Sequence, residues 1–185
     1  MIKDFLIIDC TGKNNFVALK INNKFFMKQL QTNLIKNETL ALDLANFIKK
    51  NNINLDDNFS ILINSGPGSF SGIRISLAVA KGIQVVKKTN NYSYNSFLFN
   101  AAPFLFEKKE IYSIQRTNNL YYFSRGTFRT NYHFTNPEKF DLNISQKPGS
   151  IIIISDEIKN DEMIKNINPK QIRITEFNLK NIDLL

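Results

Sequence analysis

Near residue 33 the hydrophobic pattern of this chain changes period, and few folds accommodate the change. Before it come three short runs. Residues 4–10 are apolar through their middle, as a strand buried on both faces requires. Asn14-Asn15 turns the chain into residues 16–21, which alternate, and Asn22-Asn23 turns it again into residues 24–30. Turns this short predict an antiparallel meander. From residue 33 to 50 the period becomes helical, with Thr32 or Asn33 as the N-cap. Leu34, Leu40, Ala41, Leu44, Ala45, Phe47 and Ile48 then cover an arc of about 160°. A helix lying on one sheet needs only about 100° of apolar stripe, so the excess predicts that a second surface is covered.

The remaining elements follow in order: a strand at 59–64, a helix at 70–88, a short strand at 92–94 and a short helix at 96–102 stopped by Pro103. Residues 111–116 and 120–125 form a hairpin through Thr117-Asn118-Asn119. Residues 126–149 read as irregular, 151–154 as a buried strand, and 157–166 and 171–177 carry weak helical and strand signals. Strands alternating with helices predict an α/β fold. A meander followed by helix–strand–helix is the outline of the RNase H-like, actin-like fold, with mixed sheets flanked by helices. Pro103 and the charged run Glu107-Lys108-Lys109-Glu110 predict two lobes, 1–103 and a shortened 104–185.

Between Asn64 and Gly82 the sequence is most specific. Gly66 and Gly68 flank Pro67, a backbone able to take positive φ or to approach a neighbour closely. The turn opens into a helix whose first amides carry positive partial charge, with Ser69 placed to cap them. The spacing of a Walker-type phosphate loop is absent, so a phosphate or partner contact at Gly66, Gly68, Ser69, Gly72 and Arg74 is the minor reading and a capped strand-to-helix turn the major one. In the helix, Arg74, Lys81 and Lys88 fall within about 40° of one another, and nearly everything else is apolar or small. Gly72, Ser76 and Ala80, spaced by four, form a flat ridge. A body of 185 residues offers little to cover such a helix on all sides. A partner helix is therefore expected against Gly72, Ile75, Ser76, Val79, Ala80 and Ile83, and against Leu40, Leu44 and Phe47 of the first helix.

Autonomous chemistry is poorly provided for. The single Cys10 excludes an internal disulfide and a cysteine-cluster metal site. His133 is the only histidine, so no multi-His metal site exists. Asp9 ends the first strand, where actin-like ATPases place a metal-organising acid. Its only positional partner is Asp156, which also suits a helix cap. The net charge of +8 divides into +6 over residues 1–93 and +2 over 94–185. Attraction to tRNA or to an acidic partner is one reading of this charge; without a dense basic cluster, a chain simply rich in Lys, Asn, Ile and Phe is the favoured one. No apolar run approaches the ~20 residues that span a bilayer. Asp4 sits where a signal peptide would begin its apolar core, so a cytoplasmic protein is expected.

Leu6-Ile7-Ile8-Asp9-Cys10-Thr11, then Gly66-Pro67-Gly68-Ser69-Phe70-Ser71-Gly72-Ile73-Arg74-Ile75 and Ala80-Lys81-Gly82, resemble the TsaB (YeaZ) family. The family pattern is a first strand ending Asp-Thr-Ser, then Gly-Pro-Gly-Ser-Phe-Thr-Gly-Leu-Arg. The resemblance covers residues 4–103 well. It implies two actin-like lobes, no catalysis by the chain itself, and a supporting role in the synthesis of threonylcarbamoyladenosine on tRNA. The implied partner is the transferase TsaD, held through N-terminal-lobe helices, with the ATPase TsaE docking on the pair. The chain alone would hold no cofactor, ATP being confined to the interface of the complex. Contact with tRNA would be indirect, and the isolated chain would pair with itself. Glu38 stands where the family often has His, and Gln115-Arg116-Thr117 where it often has Asp-Ala-Arg, departures that weaken any nucleotide contact and docking by the second lobe. A stand-alone actin-like enzyme (a kinase or a glycopeptidase-like hydrolase) and an RNA-binding module are the alternatives.

Overall fold

The computed structural model describes residues 3–12, 15–30, 37–117, 120–128, 132–141, 148–175, 178 and 181. Asn14, the expected start of the first helix at Thr32–Leu34, the side chain of Glu38, the turn residues Asn118-Asn119 and residues 176–177 lie outside what is described. The chain forms two compact units, Met1–Asn95 and Ser96–Leu185.

In the first unit, β1 (Phe5–Asp9), β2 (Phe16–Ile21) and β3 (Lys24–Gln29) form the expected antiparallel meander. Asn22 and Asn23 both adopt positive φ, the conformation that a two-residue turn matching the strand twist needs. β4 (Ser60–Asn64) and β5 (Asn90–Tyr94) add in parallel, giving the order β3-β2-β1-β4-β5. β1 is buried throughout because it lies at the centre of this sheet. α1 (Asn37–Lys50) and α2 (Phe70–Lys87) cover the face that carries Leu6, Ile8, Val17, Leu19, Ile61 and Ile63. Strand alternation turns Asp9, Asn64 and Tyr94 to the other side.

The second unit opens with α3 (Ser96–Ala101) and a 3-10 segment, Ala102–Glu107, that takes Pro103 into its first turn. Its strands are β6 (Ile111–Thr117), β7 (Leu120–Phe128), β8 (Tyr132–Phe134), β9 (Glu138–Lys139), β10 (Ile151–Ser155) and β11 (Ile172–Thr175). Their order is β11-β10-β6-β7-β8, with β9 also pairing with β7. A single-turn α4 (Glu162–Lys165) packs Ile164 into the core beside Ile152, Ile154 and Phe123. Both units thus repeat one scheme: an antiparallel hairpin or meander, then two strands added in parallel to its first strand.

Two expectations are corrected. The boundary falls at 95/96 rather than near 103, because α3 belongs to the second unit: Ala101 is fully buried against Ile111, Ile151 and Ile153. Residues 126–149 are not all irregular. β7 continues to Phe128, and β8 is held to it by Ser124 Oγ donating to Thr135 O (2.7 Å) and Arg125 N donating to Thr135 Oγ1 (3.1 Å). The Phe134 ring also covers Gly126, where an added Cβ would meet it at 2.7 Å. Since Ile152 is completely buried on β10, an interior strand paired on both sides, Ile152→Ala is expected to destabilise the second unit by about 2–5 kcal/mol, measured by urea unfolding. A midpoint unchanged from wild type would contradict that placement.

Candidate functional site

The carboxyl ends of β1, β4 and β5 are parallel neighbours, and open α/β sheets hold ligands at such ends. Here the place is taken by the protein's own side chains. Asp9 Oδ1 accepts from Thr11 N (3.0 Å) and Thr11 Oγ1 (2.7 Å). Asp9 Oδ2 accepts from Asn64 Nδ2 (2.8 Å) and Tyr94 OH (2.8 Å). Asn64 Nδ2 also donates to Thr11 Oγ1 (3.0 Å), while its Oδ1 accepts from Gly66 N (2.8 Å). All four residues are buried. Burial, followed by the negative charge of Asp9, raises the Tyr94 phenol well above its ordinary pKa, so it remains a donor.

Asn64 passes this order into the glycine turn. Gly66 takes a φ of +98°, which L side chains rarely adopt, and the Gly66–Pro67 peptide is cis. Gly68 and Gly72 are needed for closeness instead. A Cβ on Gly68 would stand 2.4 Å from Thr11 O, and one on Gly72 would stand 1.8 Å from Cys10 O. Ser69 N donates to Thr11 O (2.7 Å), and Ser69 Oγ caps α2 by accepting from Gly72 N (3.2 Å), as the sequence predicts. The capped-turn reading of this loop therefore holds in its geometry: the helix start is pressed onto the end of β1.

That closeness decides which way α2 faces. The ridge Gly72, Ser76 and Ala80 is buried and lies on its own sheet, where small residues let the helix backbone approach β1. Leu40, Leu44 and Phe47 are buried in the same core, and Ile75, Val79 and Ile83 are half-buried against it. Leu40, Leu44, Phe47, Gly72, Ser76 and Ala80 are thus enclosed by the chain's own core, which corrects the expectation that they meet a partner, whereas Ile75, Val79 and Ile83 keep part of their surface in solvent. A flat ridge signals close approach, and what approaches is β1.

The outward face is a different set. Phe70 is 74% exposed, Leu77 44% and Val85 70%. Arg74 and Lys81 are exposed among them, with the Arg74 guanidinium 5.5 Å from the centre of the Phe70 ring. Val86 and, on α1, Leu42 are also exposed. Sequence reasoning missed these apolar residues, although the stripe of Arg74, Lys81 and Lys88 marked the direction of solvent.

The other candidates are quiet. Cys10 is buried, and burial pushes its thiol up from the usual range. Little thiolate is present at pH 8 in the folded chain. Alkylation of Cys10 by iodoacetamide is expected to be slow in native protein and rapid in urea; equal rates would contradict the placement. Asp156 is exposed and pairs with Lys159 (2.6 Å), and His133 is exposed on β8. Among the described residues no group of three or more His, Cys, Asp or Glu could hold a metal ion. Among them, too, no helix is long and apolar enough to cross a membrane.

No protein-family profile matches the chain. A TsaB from Buchnera aphidicola subsp. Baizongia pistaciae, named for tRNA threonylcarbamoyladenosine biosynthesis, is 36% identical over 87 residues. That match takes in 46% of this chain and spans 38% of the length of the curated relative. Among solved structures, a Pseudomonas aeruginosa protein with similarity to the peptidase YeaZ superimposes with a TM-score of 0.71, over 98% of this chain and 89% of that one, at 12% identity. YeaZ from Pseudomonas aeruginosa gives a TM-score of 0.69 over 98% and 90%, also at 12% identity. A Bacteroides thetaiotaomicron protein with an actin-like ATPase fold and unknown function gives 0.51 over 99% and 95%, at 10% identity. The mixed sheets flanked by helices are those of the actin-like fold.

Proposed function

We propose, from the similarity of part of the chain to a curated TsaB and from the fold it shares with YeaZ, that it is a TsaB/YeaZ-type protein: a non-catalytic subunit in tRNA threonylcarbamoyladenosine biosynthesis that binds and supports the transferase TsaD. The observation that carries this reading is the outward face of α2, where Phe70, Leu77 and Val85 are exposed on one side of the helix. Large apolar side chains gathered on one exposed helix face favour a protein partner. Arg74 and Lys81 among them favour a partner surface with acidic groups around an apolar centre.

In this reading the chain performs no chemistry and holds no nucleotide by itself; ATP belongs to the joint with TsaD. TsaE docks on the assembled pair, tRNA is met only through the complex, and the isolated chain pairs with a second copy through the same face. The chain works in the cytoplasm, where its tRNA substrate is. The test is isothermal titration of the purified chain with TsaD and, separately, with ATP and magnesium. Saturable binding to TsaD and none to ATP is expected. ATP turnover by the chain alone, without TsaD binding, would replace this reading with that of a self-sufficient actin-like enzyme.

A further inference from the structure

An actin-like ATPase fold implies a metal-bound nucleotide at the end of the first strand, and the acid expected to organise it is Asp9. A carboxylate offers about four lone-pair sites. In this chain four donors already occupy them: Thr11 N and Thr11 Oγ1 on Oδ1, Asn64 Nδ2 and Tyr94 OH on Oδ2. A cation approaching either oxygen would meet the positive ends of N–H and O–H groups. To coordinate it, Asp9 would have to release two hydrogen bonds per oxygen, leaving buried donors without acceptors. Among the described residues, no side-chain atom of this cluster is left without a hydrogen-bond partner that a ligand could supply. The residues present therefore do not fit a metal–nucleotide group.

The same contacts describe what Asp9 does instead. Its donors come from the end of β1, the end of β4 and the end of β5. Through Asn64 the cluster reaches Gly66 N, and Ser69 N closes onto Thr11 O. Ser65 N and Ser65 Oγ both donate to Tyr94 O, at 2.8 and 2.9 Å. The start of α2 is thus fastened to three strand ends by one carboxylate. We propose that Asp9 is a latch: the acid that a nucleotide-binding relative would give to a metal is committed here to fixing the glycine turn and the first turn of α2. This holds whatever α2 binds.

The test uses the full chain. Thermal unfolding is followed with magnesium alone and with magnesium and ATP, and amide exchange is read residue by residue. Wild type is expected to show no magnesium- or ATP-dependent rise in its midpoint. Asp9→Asn turns an acceptor into a donor that faces other donors. It is expected to lower the midpoint by several degrees and to raise exchange at Gly68–Ile73 by about tenfold, the ratio for one lost buried hydrogen bond, while α1 amides change far less. Tyr94→Phe removes a single donor and keeps the ring, so it remains informative if Asp9→Asn fails to fold. Its exchange should rise at the same turn. A midpoint that rises with magnesium and ATP in wild type, or exchange in Tyr94→Phe unchanged at Gly66–Ile73, would overturn the latch.

Discussion

Gly72→Val is expected to unfold the N-terminal unit. The position has no room for even one carbon: a Cβ there would lie 1.8 Å from Cys10 O and 2.7 Å from Cys10 C. Both obstacles are backbone, so no side chain can swing aside. Relief requires α2 to lift away from β1 along its first turns, and β1 is the central strand, buried at every position. Lifting the helix would also separate Ser76 and Ala80 from the sheet and strip Ser69 N from Thr11 O. Overpacking a well-filled core costs about 1–3 kcal/mol, and more where backbone blocks relaxation. The loss here is placed at the upper end or beyond. The chain has no tryptophan, so urea unfolding followed by circular dichroism is the suitable measurement. A midpoint equal to wild type would mean that α2 does not lie where described.

Ser76→Arg should have an effect of similar size for a different reason. Ser76 is fully buried, so the substituted side chain has neither space nor an acceptor, and a guanidinium cannot shed its charge by deprotonation. An uncompensated buried charge costs several kcal/mol. The sequence alone suggests the opposite outcome, a folded chain that has lost its partner. The expected result is little soluble folded protein, measured as the yield of monomer or dimer on gel filtration. Folded Ser76→Arg in normal yield would show that the ridge does face outward.

This reversal marks the limit of what the sequence contains. The meander and both long helices were legible because period two and period 3.6 are written in local spacing. The strand-to-helix turn was legible because Gly66 and Gly68 mark backbone that side-chain-bearing residues follow poorly, and Ser69 is a favoured helix cap. The inner side of α2 was not. Gly72, Ser76 and Ala80 announce contact, but the identity of the contacting backbone depends on strand order, which no local pattern states. Tyr94 shows the same limit. Its role follows only from the register that sets it opposite Asn64, and nothing within residues 90–94 indicates that register. In the second unit, β8 went unread because its pairing rests on Gly126 beneath Phe134, two residues eight positions apart. The repeated sheet order of the two units is likewise invisible in sequence, since the same topology is filled with different side chains.

The outward face of α2 carries the functional account. The most direct measurement is the affinity of TsaD for a Leu77→Asp, Val85→Asp double variant, by isothermal titration, beside the wild-type chain. Both positions are exposed, so the urea midpoint should stay near that of wild type. Binding should weaken by about 30-fold or more, the ratio for a ~2 kcal/mol loss at the centre of an interface. Wild-type affinity in a folded double variant would contradict the account.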